Sequence, residues 1–235
     1  MKNYLISAID NYKIKLSNEQ IEQLQLYYEL LIEWNQKMNL TAIVDPKEVA
    51  IKHFADSLSI FNYIDLPKNA KVIDVGTGAG FPGMVMKIAR PDLQITLLDS
   101  LKKRLFFLED VLNKLSFNVE LIHDRAENAA QNIDLRESFD LAVSRAVARL
   151  NILSEYCIPF VRISGYFAAM KGPEAQPEIQ AAKNAIQILG GKISKINEFE
   201  LYENGGGRTI VQVEKISPTP EKYPRISGKI KSNPL

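Results

Sequence analysis

Closely spaced glycines form the clearest candidate for a ligand-binding turn in this chain. Gly76, Gly78, Gly80 and Gly83 follow directly after the aliphatic run 72–75. Glycines between a buried strand and a helix let the backbone bend sharply, and they let a ligand approach main-chain N–H groups where the helix begins. The pattern Gly-x-Gly-x-x-Gly alone is a weak signal, because a nicotinamide dinucleotide would suit it equally well.

Asp74 distinguishes between the two ligands, because it lies in the corner from strand to loop, two residues before Gly76. A carboxylate there would repel a pyrophosphate, whereas it suits the cationic amino group of S-adenosylmethionine. The order Asp-x-Gly-x-Gly-x-Gly is similar to the first motif of class I methyltransferases. It therefore predicts a binding site for S-adenosylmethionine at Asp74, Gly76, Gly78 and Gly80. A glycine-rich turn without a ligand is the alternative interpretation.

Two further segments could complete a site for a nucleoside. Asp99 ends the aliphatic run 94–98, and an acid at that strand end can accept both ribose hydroxyls of an adenosine. Ala126 and Glu127 follow the third predicted strand, where a backbone N–H and a carboxylate could read an adenine edge. A helix that begins with acidic residues needs no ligand to explain it. Together with the glycine motif, these residues favour cofactor binding.

Arg145 and Lys171 are the candidate catalytic residues, because each follows a predicted strand, the fourth and the fifth. Ligands of open α/β sheets bind beyond the carboxyl ends of the strands. Arg145 is therefore expected between the cofactor and the methyl acceptor. Enzymes of this architecture that methylate exocyclic amines mostly carry Asn/Asp-Pro-Pro-Tyr/Phe at this point, and this chain carries Ser-Arg-Ala at 144–146.

The absence of that motif indicates a different acceptor atom. Methyl transfer from a sulfonium is an in-line displacement, for which the protein supplies mainly alignment and electrostatics. An exocyclic amine must lose a proton, whereas the N7 of guanine is already an unprotonated acceptor at neutral pH. The sequence offers no obvious general base, and N7 requires none.

The elements that must position these residues fall into two blocks. Residues 1–66 read as a cap of about four helices, with apolar residues at three- and four-residue spacing after a capping box of Ser17 and Gln20. From residue 71, short aliphatic runs alternate with helical stretches, which is typical of a parallel sheet buried on both faces. We predict strands at 72–75, 94–98, 119–122, 141–143, 165–170, 192–201 and 208–215, and helices near 83–89, 102–115, 126–132, 150–160 and 177–189.

The predicted fold class is α/β, a Rossmann-like class I methyltransferase fold with a seven-stranded, mostly parallel sheet and an N-terminal helical cap. A glycine-rich hairpin at 203–207 joins the last two strands, so the last strand should be antiparallel. The expected domains are the cap at 1–66, the methyltransferase core at 67–216, and a basic tail at 217–235 packed on the core. The prolines of the tail predict an irregular path over the surface.

Composition excludes several classes of protein. The chain has 235 residues, of which 46% are hydrophobic, enough to bury one substantial core with an appendage. No apolar run approaches the roughly 18 residues of a membrane span, and no secretory signal opens the chain. Cys157 is the single cysteine, and no Cys/His cluster has zinc spacing. We therefore expect a cytoplasmic protein without a metal site.

The net charge of +1 does not decide whether the chain binds RNA, because phosphate binding depends on where cations cluster. One cluster is Lys102–Arg104. A second lies between Gly207 and Leu235, a segment that has six cationic and two acidic side chains. A solvated surface is the alternative reading of both.

An ordered set of motifs resembles the glucose-inhibited division protein B family, the bacterial 16S ribosomal RNA guanine-N7 methyltransferases. The motifs lie at 34–41, 53–58, 74–83, 144–146, 171–172, 206–208 and 223–225. The resemblance covers nearly the whole chain. It implies S-adenosylmethionine as the methyl donor, one guanine in the decoding-region loop of small-subunit RNA near the site of streptomycin action as the target, and naked RNA or an assembling 30S subunit as the partner of a monomer.

The resemblance also implies roles for individual residues. Cofactor contacts fall on Gly76, Phe81, Ala126, Glu127 and Arg145. Phe81 is the one departure, at a position where another large apolar residue is expected, and either side chain could pack on the cofactor.

Four residues are predicted to bind the substrate, and each has a structural alternative. Asn39 could cap a turn, and His53 and Asp56 could be half-buried residues that never face the cleft. Arg208, which follows three glycines, could be a hairpin cation in solvent.

Three rival functions stay open. The first is a methyltransferase that acts on another RNA, a small molecule or a protein. The second is an NAD-dependent oxidoreductase, which Asp74 and the lack of a Tyr-x-x-x-Lys motif oppose. The third is a non-catalytic RNA-binding module, against which the intact glycines argue.

Overall fold

A seven-stranded sheet forms the centre of the structure, a computed structural model that describes residues 1–235. The strands pair in the order β3-β2-β1-β4-β5-β7-β6, and β7 alone runs antiparallel to its neighbours. This arrangement confirms the predicted fold class. The strands are β1 (Lys71–Val75), β2 (Gln94–Asp99), β3 (Glu120–His123), β4 (Phe139–Arg145), β5 (Val161–Lys171), β6 (Gly191–Glu200) and β7 (Gly207–Lys215).

The last strand in the chain does not end the sheet, because β7 lies between β5 and β6. Antiparallel pairing sets Lys171, at the end of β5, opposite Thr209, near the start of β7. The beginning of β7 therefore lies at the same edge as the carboxyl ends of the parallel strands. This register brings Arg208 to the edge where ligands of such sheets bind.

The helices cover both faces of the sheet, as its aliphatic strands require. In β1, Val72 belongs to a core of 40 buried residues on one face, and Ile73 belongs to a core of 25 on the other. No helix combines the length and the apolar character needed to cross a membrane. The helices of the core and tail are α6 (Gly83–Ala89), α7 (Lys102–Leu115), α8 (Ala126–Ala129), α9 (Leu150–Cys157), α10 (Gln176–Ile188) and α11 (Ser227–Ser232).

The N-terminal cap contains two helices, α1 (Lys2–Ala8) and α2 (Asn18–Asn35), followed by a nearly continuous helical run. This run comprises α3 (Pro46–Glu48), a π-helical segment (Val49–Ala55), α4 (Asp56–Leu58) and α5 (Ile60–Tyr63). π-Helical turns often occur at functional sites, and this one carries His53.

Packing joins the cap to the sheet without a break. The capping box of Ser17 and Gln20 is present, and the Gln20 amide also donates to the carbonyls of Ile88 and Ala89 at the end of α6. Cap side chains share the core of 40 residues with one face of the sheet. The predicted boundary at residue 66 therefore marks a change of secondary structure within one continuous core.

The C-terminal tail is more regular than its prolines predict. It forms α11, whose Ile230 is fully buried. Arg225 binds the carboxylate of Glu155 through Nε and Nη2, at 2.9 and 2.7 Å, and Glu155 is itself buried. An apolar anchor and an ion pair thus hold the tail on the core.

Candidate active site

Two cavities adjoin at the carboxyl edge of the sheet. The first, here called the glycine-loop cavity, has a volume of about 500 Å³ and lies beyond the ends of β1 to β4. The second, the β5 cavity, has a volume of about 520 Å³ and lies beyond the ends of β4 and β5, beneath the cap. Both volumes are typical of small-molecule sites. His53, Arg145 and Ala146 line both cavities and form the wall between them.

The turn after β1 exposes its backbone to the glycine-loop cavity. Gly78 has a φ of +62°, and a Cβ atom placed on it would meet nothing nearer than the Gly76 carbonyl oxygen at 4.0 Å. The space in front of Gly78 is therefore open to a ligand. Gly76, Gly78 and Phe81 all line this cavity, as predicted residues of a cofactor site should.

Gly80 packs against the cap, and its predicted contact with the cofactor stays a prediction. It does not line the cavity. Its φ is +95°, and a Cβ atom there would overlap the hydroxyl of Tyr27 and approach Leu108 Cδ2 to 2.8 Å. The Tyr27 hydroxyl donates to the Ala79 carbonyl. Glycine at position 80 therefore lets α2 pack closely on the loop.

Asp74 lies behind the loop, where its Oδ1 is buried without a hydrogen-bond partner, and its predicted contact with the cofactor stays a prediction. The side chain is fully buried and does not line the cavity. Its Oδ2 accepts hydrogen bonds from Thr77 Oγ1 at 2.7 Å and from the Gly83 N–H at 2.8 Å. Burial raises the pKa of Asp74 to about 6. Asp74 thus joins the two ends of the glycine turn.

Asp99 lines the glycine-loop cavity from the end of β2. Its Oδ2 accepts from the Gly78 N–H at 2.9 Å and from Arg104 Nη1 at 3.1 Å, and its Oδ1 accepts from the Leu101 N–H at 2.8 Å. A carboxylate has about four acceptor positions, and three are used here. One position is left for a ribose hydroxyl.

The opposite end of this cavity is formed by α8 and by the tail. Ala126 and Glu127 line it, and Glu127 Oε1 accepts from Arg125 Nε at 2.8 Å. Lys231 from α11 and Tyr156 from α9 also line it. Neither residue could be assigned to the site from the sequence, although the tail is basic. Only the packing of the tail brings Lys231 to the cavity.

The wall between the cavities is a stack of three side chains. The guanidinium of Arg145 lies 5.3 Å from the centre of the Phe81 ring. The imidazole of His53 stacks on the same ring, with a distance of 4.5 Å between centres and an angle of 15° between planes. His53 Nε2 makes a hydrogen bond with Thr41 Oγ1 at 2.9 Å. Phe81 therefore packs against both Arg145 and His53.

His53 is an uncharged side chain at neutral pH. Burial, and then the positive charge of Arg145, lower the pKa of His53 to about 3. An imidazole with so low a pKa is a weak proton acceptor. His53 contacts both cavities as predicted, but its surroundings oppose a role as a general base.

Asp56 joins the cap to two strands. Its Oδ2 accepts from Arg145 Nη1 at 2.7 Å, and its Oδ1 accepts from Arg208 Nε at 3.2 Å. The Asp56 side chain is only 3% exposed. The two arginines thus share one buried carboxylate in the wall of the β5 cavity.

Lys171 lies in the β5 cavity at the end of β5. Its ammonium group donates to the Ala148 carbonyl at 2.8 Å and lies 2.7 Å from Glu178 Oε2. The same oxygen of Glu178 accepts from the Leu150 N–H at 2.9 Å. Lys171 is therefore fixed by the loop after β4 and by α10.

Asn39 does not join this assembly, and its predicted role in binding substrate stays a prediction. It is exposed and lines neither cavity. Asn35 is the asparagine that shapes the site, because its Oδ1 accepts from the N–H groups of Leu40 and Thr41 at 2.7 and 2.9 Å. Asn35 thereby holds the turn from which Thr41 reaches His53.

The glycine-loop cavity fits S-adenosylmethionine by the chemistry of its walls. It offers the open backbone at Gly78, a free acceptor position on Asp99 for a ribose hydroxyl, and the backbone and carboxylate of Ala126 and Glu127 for a base. Its far wall is Arg145 and Ala146, beyond which the β5 cavity begins. A molecule bound there would point one end at the second cavity.

Comparison with known proteins identifies the family. A family model described as rRNA small subunit methyltransferase G matches residues 20–204. A protein of that name from Clostridium novyi is 49% identical over 229 residues, which are 97% of this chain and 94% of the relative. Another from a Thermoanaerobacter species is 50% identical over 98% of this chain and 97% of its own. The chain belongs to this family.

The structure of this chain has the class I methyltransferase fold. Two solved structures are similar to it in fold. A SAM-dependent methyltransferase from Aquifex aeolicus has a TM-score of 0.53 at 19% identity, over 73% of this chain and 94% of its own. The YcgJ protein from Bacillus subtilis has a TM-score of 0.55 at 12% identity, over 70% of this chain and 100% of its own. At such low identity, the likeness concerns the fold alone.

Proposed function

We propose that this chain transfers the methyl group of S-adenosylmethionine to the N7 of one guanine in bacterial small-subunit ribosomal RNA. The names of its relatives support the RNA substrate, since they are ribosomal RNA small subunit methyltransferases. The guanine N7 as the acceptor atom is supported by the wall between the two cavities, where His53 and its neighbour Asp56 are both engaged. In this proposal the enzyme acts in the cytoplasm as a monomer.

His53 and Asp56, the two side chains beside Arg145 that could take a proton, are both engaged. His53 has a pKa lowered to about 3 and bonds to Thr41. Asp56 gives one oxygen to Arg145 and the other to Arg208. An exocyclic amine would have to pass a proton to such a group, whereas N7 has a lone pair and no proton to lose. The wall therefore suits N7 better than an amine.

S-Adenosylmethionine supplies an electrophilic methyl group, and the residues of the chain align the acceptor with it. The glycine turn and Asp99 hold the donor in one cavity, and the β5 cavity receives the base. Alignment of two bound molecules can account for much of the rate acceleration. The acceptor base gains a positive charge when its N7 takes the methyl group.

An accessible guanine is a further requirement of this proposal. The N7 of a base in an A-form helix lies in a deep, narrow groove that side chains do not enter. The target must therefore be a loop guanine or one that swings out of its helix, and a loop of the decoding region satisfies this. Cations at Lys52, Arg145, Lys171 and Arg208 line the β5 cavity and suit a phosphate backbone.

Mass mapping of small-subunit RNA from a strain without this protein tests the proposal. The RNA should lack one methyl group at a guanine N7, and the gene for this chain should restore it. A methyl group missing from any other atom, or an unchanged set of methyl groups, would contradict the proposal.

A further inference from the structure

One carboxylate in the β5 cavity has no partner. Three acidic side chains line that cavity, namely Asp56, Glu174 and Glu178. Asp56 is engaged by two arginines, and Glu178 is engaged by Lys171 and the Leu150 N–H. Glu174 makes no hydrogen bond or ion pair, and it is exposed. Glu174 is therefore the carboxylate of this cavity that is free to bind a ligand through both oxygens.

The backbone around Glu174 is anchored on both sides. Pro173 packs against the start of β7, so closely that a Cβ atom on Gly207 would lie 2.9 Å from Pro173 Cβ. Ala175 is buried and is the residue at which α10 begins. The backbone that carries Glu174 is therefore held at the cavity wall, and the Glu174 side chain is open to solvent.

Lys171 has one donor to spare at the same wall. An ammonium group has three N–H donors; Lys171 gives one to the Ala148 carbonyl and forms an ion pair with Glu178 Oε2 at 2.7 Å, so at least one donor is left. Lys171 and Glu174 lie three positions apart in the segment after β5, and both line the cavity. The same cavity thus offers a fixed cation and a free carboxylate in its lining.

This pair matches the Watson–Crick edge of guanine. That edge presents the O6 acceptor, then the N1–H and N2–H donors. A carboxylate can accept both N–H groups at once, and an ammonium can donate to O6. The N7 atom lies on the other side of O6 and stays free. Adenine presents an amino donor in place of O6 and an unprotonated N1. Its amino group would therefore meet the donors of the ammonium group, and its N1 would meet the acceptors of the carboxylate.

We propose that Lys171 and Glu174 bind the Watson–Crick edge of the acceptor guanine, and that Glu174 determines specificity for this base. This inference rests on the proposed function, since it assumes a guanine in the β5 cavity. Glu174 touches the substrate and takes no part in the transfer of the methyl group.

Glu174→Gln tests the inference, together with a change in the RNA that removes one of the proposed contacts. The substrates are reconstituted small subunits whose RNA carries either guanosine or inosine at the position that the wild-type protein methylates. Inosine lacks the N2 amino group and keeps O6, N1–H and N7. Methyl transfer from labelled S-adenosylmethionine is measured in single turnover with enzyme in excess, so that slow reactions are also recorded.

The inference predicts coupling between the two changes. Glu174→Gln should lower kcat/KM on guanosine by about 10- to 100-fold, the range for loss of a bidentate contact to a base. Replacing guanosine by inosine should lower the rate of the wild-type protein. The same replacement should affect Glu174→Gln less, by a factor about one tenth of the factor for the wild type. The dissociation constant of S-adenosylmethionine, measured by calorimetry, should not change. Glu221→Gln, which removes an exposed carboxylate outside both cavities, is the matched control and should behave as the wild type.

Two results would overturn the inference. One is a Glu174→Gln variant with wild-type rates on guanosine. The other is a variant that loses the same factor on guanosine and inosine, because Glu174 would then act without contacting the amino group. Failure of the proposed function is distinguishable, since the wild-type protein itself would then methylate no guanine N7.

Discussion

The Asp56 carboxylate on the cap lies 2.7 Å from the Arg145 guanidinium at the end of β4. Only 3% of the Asp56 side chain and 13% of the Arg145 side chain are exposed, so this is a buried ion pair that also binds Arg208. The cap is therefore tied to the sheet at the wall between the two cavities. Changes at this pair should affect both the stability and the reaction.

Asp56→Ala should lower the free energy of unfolding by about 3–5 kcal/mol, because it leaves the guanidinium of Arg145 buried without its partner. Urea unfolding at pH 7 measures this loss. Glu33→Ala is the matched control, since Glu33 pairs with Lys37 on the surface, and its loss should stay below about 1 kcal/mol. An Asp56→Ala protein within 1 kcal/mol of the wild type would show that the ion pair does not hold the cap.

Arg145→Lys should lower the rate of methyl transfer by about 10- to 100-fold, with a smaller loss of stability than Asp56→Ala. Lysine keeps a cation for Asp56, but it lacks the planar guanidinium that lies over Phe81 at 5.3 Å. Arg145→Ala is a poorer test, because it breaks the buried pair as well. Single-turnover rates and unfolding curves of the same preparations separate the two effects. Wild-type rates in Arg145→Lys would leave Arg145 a structural residue only.

Asp74→Ala should weaken binding of S-adenosylmethionine by about 10-fold, because it removes two hydrogen bonds that hold the glycine turn. Asp74→Asn keeps a carbonyl oxygen for the Gly83 N–H and should cost less than about threefold. Calorimetric titration of both variants decides how Asp74 acts. If the asparagine variant were as weak as the alanine variant, the negative charge itself would be required, as in a direct contact with the cationic amino group.

The rate of methyl transfer should not change between about pH 6.5 and 8.5, because the pKa of His53 is lowered to about 3 and the side chain stays neutral throughout. A rate that falls through this range with the titration of one group would reveal a base. His53→Gln and His123→Gln should both keep the flat profile, and His123 is exposed. A Gln variant at either position with an altered pH profile would contradict the mechanism.

His53 should also make stability depend on pH. Its pKa is near 6.5 when the chain is unfolded and about 3 when folded, so the unfolded state binds a proton first. The contribution of His53 to the free energy of unfolding therefore falls as the pH decreases from about 6.5 toward 3. Burial raises the pKa of Asp74 to about 6, which acts with the opposite sign, because the folded state then holds its proton more tightly. The difference between wild type and His53→Gln isolates the histidine. If the free energy of unfolding changed equally with pH in both proteins, His53 would behave as a solvent-exposed side chain.

The strand ends could be predicted from the sequence because each is a local pattern. An aliphatic run that ends in aspartate, arginine or lysine marks a strand and its carboxyl end. In this way Asp99, Arg145 and Lys171 were expected at one edge, and the structure has them there. The reversal of β7 brings Arg208 to the same edge, and the glycine-rich hairpin was the local sign of that reversal.

Packing between distant segments could not be predicted in the same way. Gly80 and Asp74 belong to the motif, yet Gly80 makes room for Tyr27 and Asp74 lies behind the turn. The motif does not reveal which of its residues face the ligand. Asp56 and Arg208 meet across 152 positions, and Lys231 reaches the cavity only through the packing of α11. Such contacts depend on the shared core.

The position of the transferred methyl group tests the central claim most directly. Purified protein is incubated with methyl-labelled S-adenosylmethionine and small subunits from a strain that lacks it, and the RNA is then digested to nucleosides and analysed by mass spectrometry. One labelled 7-methylguanosine is expected for each RNA. A label on any other atom of any nucleoside, or no label under conditions where the protein binds S-adenosylmethionine, would contradict it.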